Sequence, residues 1–336
     1  MRNKQMNDRD PEADPFGERN DRAFEMWRDL LGARVRFTGN SSALMRLADR
    51  AYAALPEHRF GRNPPKLHIT LNQMAKPAAG SPPPLTLLHG GGLIAGVTAS
   101  SNLVAISPAT KSALVAAPAS HLHYPYHLRY ELVEFAVFTL AARVQNLVPL
   151  HAACVAVDKR GALLMGASGA GKSTLALLCL LSGFEFLSED STFVDANLMR
   201  ATGIANFLHV REDSLRWLKP RDANHIRKSP VIQRRSGVKK FEFDLRQPRF
   251  ALAPQPVRIA ATVFLTARRG RAARLLVPLS RREAARRLQQ AQAYGSTQPS
   301  WRLFKRNILA RDCVELRRGA HPLDAVAALR EWLKKH

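Results

Sequence analysis

Residues 161–181 read GALLMGASGAGKSTLALLCLL, and this stretch decides the fold. An apolar run, Ala162 to Met165, has strand length. A Gly-rich loop follows, and from Lys172 to Leu181 the chain is helix-favouring until Gly183 would terminate it. Gly166-Ala167-Ser168-Gly169-Ala170-Gly171-Lys172-Ser173 is a complete Walker A pattern, placed between a strand and a helix as that pattern requires. Glycines let the loop curl so that successive backbone N–H groups face phosphate oxygens, and the helix N-terminus adds favourable partial positive charge. The pattern directs Lys172 to the β- and γ-phosphates of a nucleotide and the Ser173 hydroxyl to Mg²⁺, with Thr174 completing the nucleotide-binding set.

Working outward, Leu150 to Val157 reads as a preceding strand with a turn at Asp158 to Gly161. Phe184 to Leu187 and Thr192 to Val194 read as strands flanking Ser188, Glu189 and Asp190. Glu189 and Asp190 stand seventeen and eighteen positions after Lys172. One of them could hold metal while the other deprotonates a nucleophile, and the residues alone leave the assignment open. A solvated acidic turn is the plain alternative. His151, 21 positions before Lys172, would by itself read as a satisfied histidine in an apolar strand.

Residues 150–195, LHAACVAVDKRGALLMGASGAGKSTLALLCLLSGFEFLSEDSTFVD, resemble the catalytic core of HPr kinase/phosphorylase and related bacterial kinases. That group shares a fold with phosphoenolpyruvate carboxykinase. The resemblance implies an α/β P-loop kinase core that binds ATP and Mg²⁺ and transfers a phosphoryl group to a hydroxyl. It places His151 beside the transferred group and puts Glu189 and Asp190 where the family carries two aspartates. Because Glu189 departs from that pair, the base or metal role falls more firmly on Asp190. A further acidic metal ligand lies downstream in the family, and Glu212, with Asp213 beside it, is the nearest candidate. The resemblance does not reach residues 1–125, and the family's distinctive C-terminal phosphorylase segment is not found. HPr as acceptor and the reverse reaction are therefore not implied, and the acceptor stays open between a protein serine, a peptide and a small molecule. Oligomers are common in the family, so a homo-oligomer is an implied expectation.

The remainder divides into a polar leader over 1–20, a smaller mixed α+β N-terminal domain over 21–127, and the catalytic domain over 128–336. Helices are expected at Asp21 to Leu31 and after a Ser41 or Ser42 cap, with Leu44, Leu47, Ala51 and Leu55 on one face before Pro56. Short β-favouring runs follow at 67–71, 85–88, 93–98 and 103–106. A long helix-favouring run covers 128–144, and strands at 259–266 and 275–277 precede helices at 281–291 and 322–335.

The 336 residues carry 51 Lys and Arg against 27 Asp and Glu, a net charge of +24. Residues 1–200 supply +4 of that and residues 201–336 supply +20. Such charge points to a polyanionic partner but does not name one. No zinc-finger, RNA-binding sheet motif or run of stacking aromatics accompanies it, so nucleic acid is not the expected partner. A non-kinase P-loop ATPase or nucleotide-dependent binding module with a basic surface is the competing reading. The most apolar stretch, 128–147, is broken by charge too often to span a bilayer, and the polar N-terminus has no secretory segment, so a cytoplasmic protein is expected. Cys154, Cys179 and Cys313 lie apart in apolar settings and read as core residues. His89-Gly-Gly-Gly92 reads as a hairpin turn, and His121, His123 and His127 lack a metal-binding frame.

Overall fold

The computed structural model describes residues 23–75, 80–98, 102–270 and 274–335; the expected leader lies outside them. The chain is mixed α/β, with a nine-stranded sheet, a seven-stranded sheet and a small three-stranded one.

The larger sheet is built on the strand Arg160–Met165, which pairs antiparallel with Ala153–Val157 and parallel with Val257–Arg269. Asp158 and Lys159 take positive φ and close a tight hairpin between Ala153–Val157 and Arg160–Met165. Alternation along these strands feeds two cores. Ala153, Val155, Ala162 and Leu164 face the helices Lys172–Leu181 and Pro322–Lys335. Cys154, Ala156, Leu163 and Met165 face Arg281–Ala291 and Trp301–Ile308. A sheet covered on both faces needs apolar residues at consecutive positions, which explains the unbroken hydrophobicity of 153–157 and 162–165. The three cysteines are buried and free, and Trp301 packs in the second core.

The seven-stranded sheet packs one face against the helices Ser42–Tyr52 and Glu134–Gln145. In Lys66–Met74, Leu67, Ile69 and Leu71 point into that core while the residues between them do not. Ser41 caps the first helix as its sequence suggests, accepting from the Leu44 N–H.

Several expectations need correction. Of the helix expected at Asp21 to Leu31, residues 21 and 22 lie outside the described residues and the rest is not helical: Phe24–Leu30 is a strand paired along its length with Ala33–Gly39. Leu31 and Gly32 take φ of 53° and 86° and form the two-residue turn, so pairing outweighs local helix preference. The run 128–144 begins with a π-helical segment, Leu128–Val133, before the α-helix Glu134–Gln145. The expected strand 150–157 breaks at Ala152, with Val148–His151 joining Ser191–Asp195 instead. Leu128, Leu132, Val137 and Leu140 share a core with Val35, Phe37 and Ile69.

The two halves are joined by polar contacts. His58 bonds Thr202 and the Ala253 carbonyl at 2.7 and 2.9 Å, Asn206 donates to the Ala51 carbonyl, and buried Arg129 pairs with buried Glu242. The Gly91–Gly92 turn closes the hairpin Thr86–Gly90/Leu93–Val97. His121 is buried, with Nδ1 2.9 Å from the Asn102 side-chain oxygen. Among the described residues, no helix is long and apolar enough to cross a membrane.

Candidate functional site

The loop after Arg160–Met165 turns through Gly169 and Gly171, at φ 78° and 99°, into the helix Lys172–Leu181. Those values suit glycine, and a side chain at either position would be strained. Lys172 is buried, and its ammonium donates to the carbonyls of Gly166 at 2.7 Å and Ala167 at 3.3 Å. Burial lowers the Lys172 pKa, and the charge of Asp190 opposes the shift. Ser173 follows on the same rim. Thr174 is tied by its hydroxyl to Ser214 at 3.0 Å, which fixes the helix against the turn Glu212–Trp217.

A cleft of ≈290 Å³ opens over this loop. Ser168, Gly169, Gly171, Lys172, Ser173 and Thr174 line one side, and His151, Glu189 and Asp190 line another. The sequence-selected residues on three separate segments thus meet in one place. Gly166, Ala167 and Ala170 form the base of the loop, with Ala170 N–H bonded to the Ala167 carbonyl.

Asp190 sits between the strands Glu185–Ser188 and Ser191–Asp195, and His151 ends Val148–His151. Ser191 is the register partner of His151, and the Ala152 N–H donates to the Asp190 carbonyl. This pairing brings His151 Nδ1 to 2.9 Å from the Asp190 carboxylate, with both side chains open to the cleft. Burial would raise the Asp190 pKa, but the His151 hydrogen bond and the charges of His151, Arg234 and Lys172 together hold it below the ordinary range. Gln292, 1% exposed, clamps the His151 backbone: its amide oxygen accepts from the His151 N–H at 2.9 Å and its amide nitrogen donates to the carbonyl at 3.1 Å.

Glu189 has a different environment. One of its oxygens accepts from the His209 backbone N–H at 2.9 Å and lies 3.0 Å from His209 Nδ1. His209 Nε2 meets the Tyr130 hydroxyl at 2.8 Å, and that hydroxyl donates to Glu242 at 2.9 Å. Burial pushes the Glu189 pKa up, and the His209 contacts outweigh it, so the group is held ionised. Neighbours in sequence thus have distinct settings: Asp190 faces His151 at the open rim, and Glu189 is fixed in a buried chain of hydrogen bonds.

Glu212 does not line the cleft. It is exposed and bound by Arg227 through two hydrogen bonds of 3.0 and 2.7 Å, whereas the adjacent Asp213 borders the cleft and pairs with Arg211. Among the described residues, no group of three or more His, Cys, Asp and Glu could hold a metal by itself.

His209 and Arg211, which the sequence does not single out, also line the cleft, as do Arg234 and Lys240 from the basic cluster Arg234-Arg235 with Lys239-Lys240, which the sequence offers as a phosphate-binding surface. The basic cluster at 234–240 is split by the fold. Arg234 and Lys240 face the cleft, while Arg235 pairs with Glu131 at 2.5 Å. Burial lowers the Lys240 pKa, with Glu189 opposing. Four Lys and Arg therefore face three carboxylates around the cleft, an excess positive charge suited to phosphate. Period-two alternation in Lys239–Asp244 was the available signal for Lys240, but only with its sheet pairing known.

The chain matches no protein-family profile and no curated protein. Among solved structures it is similar to the Hpr(Ser) kinase/phosphatase from Coxiella burnetii, at 15% identity and a TM-score of 0.26, over 56% of this chain and 91% of that one.

Proposed function

We propose that this protein is an ATP- and Mg²⁺-dependent phosphotransferase that moves the γ-phosphoryl group of ATP to a hydroxyl acceptor. The observation that carries the reading is the His151–Asp190 pair, 2.9 Å apart, on the rim of the cleft that Lys172 and Ser173 also line. Phosphoryl transfer asks for little covalent chemistry from the protein and much positioning and charge stabilisation. The loop N–H groups and Lys172 supply the latter at the phosphates. Arg234 and Lys240 also line the cleft and add positive charge.

Asp190 is ionised at neutral pH and accepts the proton of the incoming hydroxyl. His151, donating from Nδ1, orients the carboxylate toward the acceptor. Ser173 and Asp190, whose oxygens both line the cleft, are the residues that would hold Mg²⁺. Bound there, Mg²⁺ supplies charge neutralisation of the phosphates. Glu189, already engaged by His209, shapes the acidic side of the cleft, and Glu212 takes no part.

The test is γ-labelled ATP incubated with the purified chain, alone and with host lysate. Label on a protein or small molecule supports transfer, and free phosphate as the sole product selects an ATPase. Lys172→Ala should abolish Mg·ATP binding; unchanged affinity would overturn the assignment. Asp190→Asn should retain nucleotide and lose transfer by about 10²–10⁴-fold, and wild-type transfer in that variant would remove Asp190 from the chemistry.

A further inference from the structure

The His151–Asp190 pair borders two cavities. A second one, of ≈380 Å³, shares only these two residues with the cleft over the Gly-rich loop. Its other walls come from Phe138 and Arg143 on the helix Glu134–Gln145, from Phe193, and from Tyr294. The reacting pair therefore borders both the cleft over the Gly-rich loop and a separate hollow. In-line transfer requires the acceptor oxygen to approach from the side opposite the leaving group.

The lining of this hollow is selective. The Phe138 and Phe193 rings meet edge to face at 5.2 Å and form an apolar wall. Arg143 is half-buried beside them, and its guanidinium has no hydrogen-bond or ion-pair partner among the described residues. A guanidinium presents a planar fork of donors that matches a carboxylate in two parallel hydrogen bonds. Its place in the last turn of a helix complements the helix dipole, but this does not account for its facing a cavity that holds the reacting pair. The volume lies within the roughly 300–1,000 Å³ of small-molecule sites.

Resting on the phosphotransfer reading above, we propose that this second cavity is the acceptor site and that it takes a small hydroxyl-bearing organic acid. Arg143 binds the carboxylate, Phe138 and Phe193 cover the carbon skeleton, and the hydroxyl lies against Asp190. In the transfer, the acceptor O–H bond breaks and its proton goes to the Asp190 carboxylate. A bond forms between that oxygen and the γ-phosphorus, the bond from phosphorus to the β,γ-bridging oxygen breaks, and ADP leaves with that electron pair. The N-terminal core, which supplies the helix carrying Phe138 and Arg143, thereby sets acceptor selectivity.

The experiment uses the full chain, γ-labelled Mg·ATP, and L-3-phenyllactate, L-lactate and D-glycerate, each beside its amide. The expected result is label on at least one acid, at a rate about tenfold or more above its amide. Arg143→Leu should bring that ratio near one, and Arg143→Lys should restore part of it, with melting curves of both variants as the folding check. A loss of stability with the ratio intact would make Arg143 a helix-end residue only and overturn the proposal. So would equal rates on acid and amide, or no label on any of the three acids. If lysate protein is labelled in that last case, phosphotransfer stands and the acceptor assignment alone falls. Failure of the wild-type chain to bind Mg·ATP overturns both.

Discussion

Gln292 is buried and makes both of its hydrogen bonds to the backbone of His151, so its work is to hold a cleft residue in register. Gln292→Leu keeps the volume but removes the side-chain partner of the His151 N–H and carbonyl. It should cost about 1–3 kcal/mol in urea unfolding and lower phosphoryl transfer while leaving Mg·ATP affinity near wild type. Arg129 is a second such residue, 6% exposed against Glu242 at 4%. Arg129→Leu leaves an uncompensated buried carboxylate beneath the Tyr130–His209–Glu189 chain, and chemical denaturation should register a loss of about 3–5 kcal/mol. Neither partner was visible in the sequence. Gln292 lies 141 positions from His151 and Arg129 lies 113 from Glu242, and no local pattern links residues so far apart.

Helices were read closely only where their ends are signalled locally, and Pro220–Arg227 and Trp301–Ile308 were missed. Ser41 and Ser280 cap with their own hydroxyls, accepting from Leu44 and Glu283, and Gly183 ends Lys172–Leu181 at φ 82°. Strands were read where short β-favouring runs stand between turn residues, as at Lys66–Met74, Leu93–Val97 and Leu103–Ser107. Ala33–Gly39, Ser112–Pro118 and Phe207–Val210 escaped because their identity lies in partners rather than in composition. The strand Arg200–Gly203 shows how close such packing becomes. A Cβ on Gly203 would lie 2.6 Å from the Ser188 Cβ and 2.7 Å from the Leu187 carbonyl oxygen. Gly203→Ala should therefore push back the strand Glu185–Ser188, which leads into Glu189 and Asp190, destabilising the protein by about 1–3 kcal/mol in urea unfolding.

The molecule as a whole carries a pH dependence built on Glu134, at the start of the helix Glu134–Gln145. Burial raises its pKa from 4.5 to about 8, with Arg129 opposing. The folded chain keeps a proton there that the unfolded chain releases. This contribution to stability is intact below about 4.5 and is lost as the pH rises through about 8. Melting temperatures between pH 5 and pH 8.5 should fall more steeply in wild type than in Glu134→Gln, and parallel profiles would show that Glu134 is ionised when folded. The +24 charge also acquires a distribution. Arg211, Arg234 and Lys240 turn into the cleft, while Arg286 and Arg287 are engaged by Glu283.

From the sequence by itself came the strand, Gly-rich loop and helix at 160–181, the α/β class, the buried cysteines, and the selection of Lys172 and Ser173, whereas His151 and Asp190 were picked out by the family resemblance. The former rest on neighbours within one turn or one strand, where chemistry and conformation are locally coupled. Tertiary structure decided the rest. It set Glu189 against His209, removed Glu212 to a pair with Arg227, brought Arg234 and Lys240 inward, and folded the helix Glu134–Gln145 into the wall of the second cavity. Each of those outcomes depends on sheet register and on packing between segments many tens of residues apart, and side-chain direction is fixed only when both partners are in place.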